Sequence, residues 1–220
     1  YTYSGKRFNH GVGFESKDNY QGGRAILQYG WLPPGEAFLR YHSISLSAYD
    51  FWSTLTGLHE TTSGILKWQF EAKKGFNGNI ATNWFLEDLS DTLILGDDQA
   101  SVAPGRYSFA YFSAFYGSSG AHALSYDLST EAGAFYDGWR LSFSAYPKLS
   151  IGAGFDLGLS YNFDYVNLPS GTSFTNHILG IRGLLTMTTE TSISAYIQYN
   201  TAIDKFVTNI RFRYNPREGN

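Results

Sequence analysis

The chain has 220 residues, of which 18% are aromatic and only 16% are charged, and its formal net charge is −3. Because it contains no cysteine, disulfides, thiolate metal ligands and a cysteine nucleophile are excluded. The slightly acidic balance and the lack of a basic run argue against a nucleic-acid partner. No window of about 18 apolar residues occurs, so no transmembrane helix is expected.

Runs of alternating apolar and polar residues, separated by turn residues, predict strands along the chain. In the second run, Ile44, Leu46 and Ala48 alternate with serines. Lys74-Gly75 predicts a tight turn after the third run of alternating residues. The first four strands are expected at residues 24–31, 38–51, 63–73 and 76–87.

Residues 88–105 are expected to form a long acidic loop, after which the alternation resumes. Turns are predicted at 117–120, Asp137-Gly138 and Pro147-Lys148. The remaining strands are expected at 107–115, 124–134, 139–145, 151–165, 174–188, 191–200 and 205–214. Short connections are therefore expected on one side of the sheet and longer ones (88–105, 166–173) on the other, as in outer-membrane barrels.

The longest alternation runs from Ile151 to Tyr165, with one aromatic and aliphatic side and one small, polar or acidic side. A strand of about fifteen residues is longer than the usual strand of a soluble protein. The wall of a membrane barrel, with lipid outside and water inside, needs such a pattern. The strand at 174–188 is ambiguous, because either Leu179, Ile181 and Leu185 or Ile178 and Leu184 could form its apolar side.

These elements predict an all-β fold, an antiparallel up-and-down transmembrane β-barrel with about eleven strands in a single region, 1–220. Bacterial single-chain barrels have an even number of strands, and residues 215–220 have the composition of a turn. We therefore expect this chain to be the C-terminal part of a larger barrel whose final strand is missing here.

Four segments resemble a family of Bacteroidota outer-membrane proteins: Gly5–Phe14, Phe135–Arg140, Thr191–Asn200 and Ile210–Tyr214. The similarity spans most of the chain. Members of this family carry an N-terminal module similar to family-9 carbohydrate-binding modules, followed by a large C-terminal barrel of uncharacterised function. The resemblance implies a Gram-negative outer membrane as the location, and the family has no established catalytic motif to carry over.

Charged and amide side chains on the polar sides of the strands are expected to line the barrel interior. They could form a hydrated, porin-like path for a polar solute such as a glycan, or a solvated and internally ion-paired wall without a ligand. The twelve candidates are Lys67, Glu71, Asn77, Asn83, Arg106, Asp127, Glu131, Arg140, Asp156, Asp164, Arg211 and Arg213.

Aromatic residues near the strand ends are expected to form interfacial girdles, because amphipathic rings prefer the headgroup level. Stacking on sugar rings is the alternative use. The set comprises Tyr29, Trp31, Tyr41, Tyr49, Trp52, Trp84, Tyr107, Trp139, Tyr161, Tyr199 and Tyr214.

No catalytic, cofactor-binding or metal-binding residue is predicted, and no cofactor. The aspartates of the 88–105 loop match no calcium-loop spacing, although Asp97-Asp98 would be the best position for a metal. Alternation points His42 and Ser43 to opposite faces, and no Gly-x-Ser-x-Gly elbow is present. The glycines at 152–154 are expected within a strand and therefore form no phosphate loop.

The favoured function is passage or surface handling of polar solutes such as glycans. A structural or secretion-associated subunit of an envelope complex is the alternative, followed by a membrane-embedded hydrolase and by a soluble barrel or sandwich. The expected partners are the outer-membrane bilayer with its lipopolysaccharide, a glycan and other envelope proteins.

Overall fold

The computed structural model describes residues 2–3, 19–95, 100–169 and 173–216. Within these ranges, no helix is long and apolar enough to cross a membrane. The strands are β1 (Thr2–Tyr3), β2 (Tyr20–Trp31), β3 (Leu39–Ser53), β4 (His59–Ala72), β5 (Asn77–Leu89), β6 (Leu93–Leu95), β7 (Ala100–Val102), β8 (Gly105–Gly117), β9 (Leu124–Phe135), β10 (Gly138–Ile151), β11 (Phe155–Asn167), β12 (Ser173–Thr186), β13 (Thr191–Asn200) and β14 (Lys205–Tyr214).

The long strands form one antiparallel sheet in the order β1-β2-β3-β4-β5-β8-β9-β10-β11-β12-β13-β14. Apart from the two-residue β1, it contains the eleven strands expected from the sequence, each paired with its neighbours along the chain. The all-β, antiparallel, up-and-down prediction is confirmed. The sheet is open in this structure, with β1 and β2 at one edge and β14 at the other.

The strand register gives the sheet two chemically different faces, since residues paired across strands point to the same side. One row runs Leu46, Leu66, Thr82, Phe112, Ala132, Leu141 and Tyr165, and we call this side the apolar face. The next row runs Ser45, Lys67, Ala81, Ser113, Glu131, Ser142 and Asp164, and we call this side the polar face.

The ambiguity in β12 is resolved by its register. Leu179 pairs with Tyr161, Ile181 with Leu159 and Leu185 with Phe155, so these three leucine and isoleucine side chains lie on the apolar face. They are 44–52% exposed. Ile178 and Leu184 lie on the polar face, opposite Asn162 and Asp156.

The predicted strand at 151–165 is wrong in its first part. β10 continues through Pro147 and Lys148 to Ile151, and residues 152–154 form the turn to β11. Gly152 has a φ of +59°, which favours glycine. The alternation looked unbroken because a three-residue turn pairs Ile151 with Phe155, four positions later, on the same face. The pairing of β10 with β11 omits Tyr146 and Pro147 without a change of register, as expected where proline has no N–H to donate.

The two ends of the sheet are distinguished by their connections. We call the end formed by connections 54–58, 90–104, 136–137, 168–172 and 201–204 the hairpin end, and the other the groove end. The prediction that short turns and long loops would segregate is wrong, because the turn at Asp137 lies at the same end as the long connection 90–104. In a meander every second connection falls at the same end, whatever its length.

The connection 90–104 contains the β6–β7 hairpin, which packs on the polar face at the hairpin end. Its Ala100 and Val102 form a buried cluster with Val166 and Leu168, all 2–3% exposed. Partly buried side chains surround this cluster: Leu89, Leu93, Leu95, Tyr107, Phe135, Tyr136 and Phe174. The segment predicted as an acidic loop thus supplies the cover for an apolar core.

Candidate functional site on the polar face

Eleven of the twelve predicted interior residues lie on the polar face: Lys67, Glu71, Asn77, Asn83, Asp127, Glu131, Arg140, Asp156, Asp164, Arg211 and Arg213. Arg106 is the exception and corrects the prediction. It pairs with Asp88, and the next pair on the same side of these strands is Leu86 with Ser108, so Arg106 lies on the apolar face. The error comes from Tyr107, Phe109 and Tyr111, whose alternation predicts an apolar side of β8 opposite to Arg106, whereas these rings lie on the polar face.

The middle of the polar face is held by contacts between its own side chains. Arg140 forms an ion pair with Glu131 and donates from Nε to Ser142 Oγ at 3.0 Å. Ser142 Oγ in turn donates to Asp164 Oδ1 at 2.5 Å. The Arg140 guanidinium also lies 5.4 Å from the centre of the Phe135 ring. These contacts fit the internally ion-paired wall that was one of the two alternatives for the interior.

An aromatic layer next to this network was missed in the sequence. The Phe85 ring stacks on Phe109, with centroids 5.5 Å apart, and on Tyr111 at 5.8 Å. All three lie on the polar face. β8 carries aromatic residues on both faces, so its alternation of apolar with polar residues is weak. The sequence feature that could have revealed this layer is the aromatic residue at every second position, at Tyr107, Phe109 and Tyr111.

At the groove end, the polar face carries an open groove of about 910 Å³. On its floor, Lys148 Nζ lies 3.3 Å from Asp156 Oδ2, and Ser150 Oγ donates to Asp156 Oδ1 at 2.5 Å. The Arg182 guanidinium lies 6.0 Å from the centre of the Tyr196 ring. Tyr146 and Asp127 line the same groove. A few aromatic rings among converging polar groups are typical of small-molecule sites.

The charges of the polar face are unevenly distributed between its strands. On β9–β11, Glu131 and Asp156 are neutralised by Arg140 and Lys148. On β12–β14, four cations lie on this face without a carboxylate on the same strands: Arg182, Lys205, Arg211 and Arg213. The ion pairs formed between described residues all use other cations.

A second polar cluster lies at the rim of the apolar face, at the hairpin end. His59 Nδ1 lies 2.5 Å from Asp88 Oδ2, and His59 Nε2 lies 2.8 Å from Thr62 Oγ1. The order carboxylate, imidazole, hydroxyl is that of a catalytic triad. However, the Thr62 hydroxyl donates to Asp50 Oδ1, which also lies 3.3 Å from His59 Nε2. With a carboxylate at each ring nitrogen, His59 is placed as a hydrogen-bond donor and not as the base of a nucleophile.

Two of the other histidines, His42 and His177, take part in local contacts. The Trp68 indole donates from Nε1 to His42 Nδ1 at 3.3 Å, and the Tyr161 hydroxyl lies 3.0 Å from His177 Nδ1. His122 lies in the connection between β8 and β9, and His10 lies outside the described residues. So do Asp97 and Asp98. Among the residues that are described, no group of three or more His, Asp or Glu side chains is arranged to hold a metal ion.

The predicted girdle residues divide between the faces. Tyr29, Trp31, Trp52, Trp84, Trp139, Tyr161, Tyr199 and Tyr214 lie on the apolar face, as the girdle prediction requires. Tyr41, Tyr49 and Tyr107 lie on the polar face, so they are corrected. With Trp68 included, all five tryptophans of the chain lie on the apolar face.

No family model matches the chain, and no curated protein or solved structure is significantly similar to it. The features that bear on function are therefore the two faces of the sheet, the groove and the hairpin.

Proposed function

We propose that this chain is part of an outer-membrane β-barrel of a Gram-negative bacterium, which passes or handles polar solutes such as glycans at the cell surface. The observation that carries the proposal is the exposure of the apolar face. Ile44, Leu66, Ile80, Phe112 and Ile210, each from a different strand, are 45–73% exposed on it.

A surface of this kind requires a cover. Removing one large apolar side chain from water is worth roughly 1.5–3 kcal/mol, and this face repeats such side chains across eleven strands. Soluble monomers rarely expose apolar patches larger than about 300–600 Å². The charged side chains of this face, including Asp50, Asp88 and Arg106, lie at its hairpin-end rim. An apolar band bordered by charge and aromatic rings suits the hydrocarbon core of a bilayer.

Polar solutes are the proposed cargo because the opposite face offers hydrogen-bonding groups. The groove at the groove end exposes Ser, Tyr, Asp, Lys and Arg side chains to solvent. A sheet with lipid on one face and such groups on the other has the design of a barrel that encloses water. The outer-membrane location, the lipopolysaccharide contact and the Bacteroidota family resemblance belong to this proposal.

Neighbouring residues of β11 provide a matched test of the two faces. Leu159 lies on the apolar face and Ser160 on the polar face. We would make Leu159→Cys and Ser160→Cys in the intact protein, in a background without other accessible cysteines, and label each in native outer membranes. A water-soluble maleimide should modify position 160 and spare 159, whereas a lipid-soluble maleimide should modify 159. Equal modification of both positions by the water-soluble reagent would contradict membrane insertion.

The β6–β7 hairpin favours a second candidate, a structural or secretion-associated subunit of an envelope complex. Its buried contacts with Val166 and Leu168 cover the polar face at one end. A barrel blocked there would serve assembly and not passage. To separate the two, intact protein would be extracted in mild detergent, its copurifying proteins identified and the assembly imaged. A fixed protein partner together with no solute flux favours the second candidate, and flux without a partner favours the first.

A further inference from the structure

The groove and the basic strands beside it lie on the same face and are in register. Arg182 of β12 pairs with Tyr196 of β13, which pairs with Asn209 of β14. The adjacent row joins Leu184, Ser194 and Arg211, and Ser194 also lines the groove. Arg213 follows Arg211 on the same side of the strand. A ligand in the groove would therefore meet a positively charged wall on its β12–β14 side.

The opposite wall of the groove carries less free charge. Asp156 is neutralised by Lys148 at 3.3 Å and accepts from Ser150. Asp127 faces the groove from β9, three strands from Arg182. A ligand with an acidic group at one side and hydroxyls at the other would direct the acid to Arg182 and donate its hydroxyls to Asp127.

The residue types fit carbohydrate more closely than a small inorganic anion. The planar arginine fork binds a carboxylate or a phosphate through two parallel hydrogen bonds, so the neighbouring rings and the size of the groove distinguish the two. Tyr146 and Tyr196 present rings in the groove, and aromatic faces are suited to stack on the apolar face of a sugar. A site of about 910 Å³ also has the size of sites that hold ligands much larger than phosphate.

We propose that the groove is a binding subsite for an anionic carbohydrate, a sugar chain carrying carboxylate groups. Arg182 binds the carboxylate, Tyr146 and Tyr196 flank the sugar ring, and Arg211 and Arg213 attract the anion along β14. The inference deepens the proposed handling of polar solutes by giving the class of solute, and to that extent it rests on that proposal.

The test is titration calorimetry on the intact protein in detergent, with oligogalacturonate as the acidic probe. A neutral maltooligosaccharide of equal length and inorganic phosphate are the comparison ligands. We expect oligogalacturonate to bind at least tenfold more tightly than either. Arg182→Gln should weaken its binding at least tenfold, and Tyr196→Ala should weaken it without changing the response to phosphate. Arg106→Gln is the matched control, because Arg106 lies on the other face, and it should leave the affinity unchanged.

Equal affinity for the acidic and neutral sugars, or full affinity in Arg182→Gln, would overturn the inference. Phosphate binding as tightly as oligogalacturonate would overturn its carbohydrate part. Since binding is measured in detergent, the result is independent of the labelling experiment. Normal face-specific labelling with no oligogalacturonate binding removes this inference alone, whereas equal labelling of Leu159→Cys and Ser160→Cys by the water-soluble maleimide removes the proposed membrane function.

Discussion

The two ends of the polar face are stabilised by different kinds of interaction. At the hairpin end, Ala100, Val102, Val166 and Leu168 exclude water from a small apolar core. At the groove end, the Lys148 side chain is 53% exposed and that of its partner Asp156 is 36% exposed, and the groove stays open. Apolar burial excludes water from the hairpin end, while an exposed ion pair gives the groove end little stability. The contrast fits the proposal above, in which the hairpin end serves structure and the groove end binds a solute.

The largest expected effect comes from placing a charge in the hairpin-end core. Val166→Asp would bury a polar group without a partner, at a position that is 2% exposed. Such burial costs about 2–7 kcal/mol, so the hairpin should detach and become sensitive to protease. Val207→Asp is the matched control, because Val207 is 54% exposed on the polar face of β14. Limited proteolysis of both variants in detergent would show the difference, and equal protection would contradict a structural role for the cluster.

Leu168→Ala should weaken the same core without adding charge. Leu168 is 3% exposed, and truncating a buried leucine costs about 2–5 kcal/mol. Urea titration of the intact protein in micelles would measure the loss. Leu55→Ala provides the comparison, since Leu55 is 51% exposed in the connection after β3. A Leu168→Ala midpoint no lower than that of Leu55→Ala would mean that the cluster contributes no stability.

Tyr136→Phe tests the polar contact beside this core. The Tyr136 hydroxyl donates to Glu87 Oε2 at 2.6 Å. Removing a hydrogen bond to a charged group costs about 1.5–3 kcal/mol. Burial, followed by the hydrogen bond and charge of Glu87, raises the pKa of Tyr136 above its ordinary value of 10.0. Because the folded pKa is raised, this stability is fully present below pH 10 and is lost as pH rises beyond it. The difference in unfolding free energy between wild type and Tyr136→Phe should be full at pH 8 and shrink above pH 10, and a constant difference would contradict the assignment.

The elements of the fold were predictable from sequence wherever the alternation was local. β13 and β14 have the bounds expected, at 191–200 and 205–214. The turn at Gly152 was missed because a three-residue connection preserves the alternation of faces. Strands β6 and β7 were missed because their apolar residues pack against strands distant in sequence, such as β11.

In the candidate site too, contacts between different strands could not be predicted from local alternation, as the groove shows. Asp127, Asp156 and the arginines of β14 were identified from alternation, but Arg182 was not among them. Its importance depends on Tyr196 of the next strand, whose ring centre lies 6.0 Å from its guanidinium, and on the absence of Arg182 from the ion pairs between described residues. Alternation within one strand gives the face of a residue, whereas the neighbours of that residue depend on the register between strands.

The smallest expected effect belongs to the groove-end ion pair, and a residue on the same strand makes the comparison sharp. Arg140 and Lys148 both lie on the polar face of β10, and each pairs with a carboxylate. Arg140 is the less exposed, at 32% against 53%, and also contacts Ser142 and the Phe135 ring. Lys148→Gln should therefore cost only about 0.2–1 kcal/mol, the usual range for an exposed pair.

Arg140→Gln should cost more, about 1.5–3 kcal/mol, since it removes hydrogen bonds between charged groups. Urea titrations at low and high salt would measure both variants, and only the Lys148→Gln difference should disappear at high salt, because exposed pairs are screened most. If Lys148→Gln proved as costly as Arg140→Gln, the groove end would contribute to the stability of the sheet. The contrast between a hairpin end that stabilises the sheet and a groove end that does not would then fail.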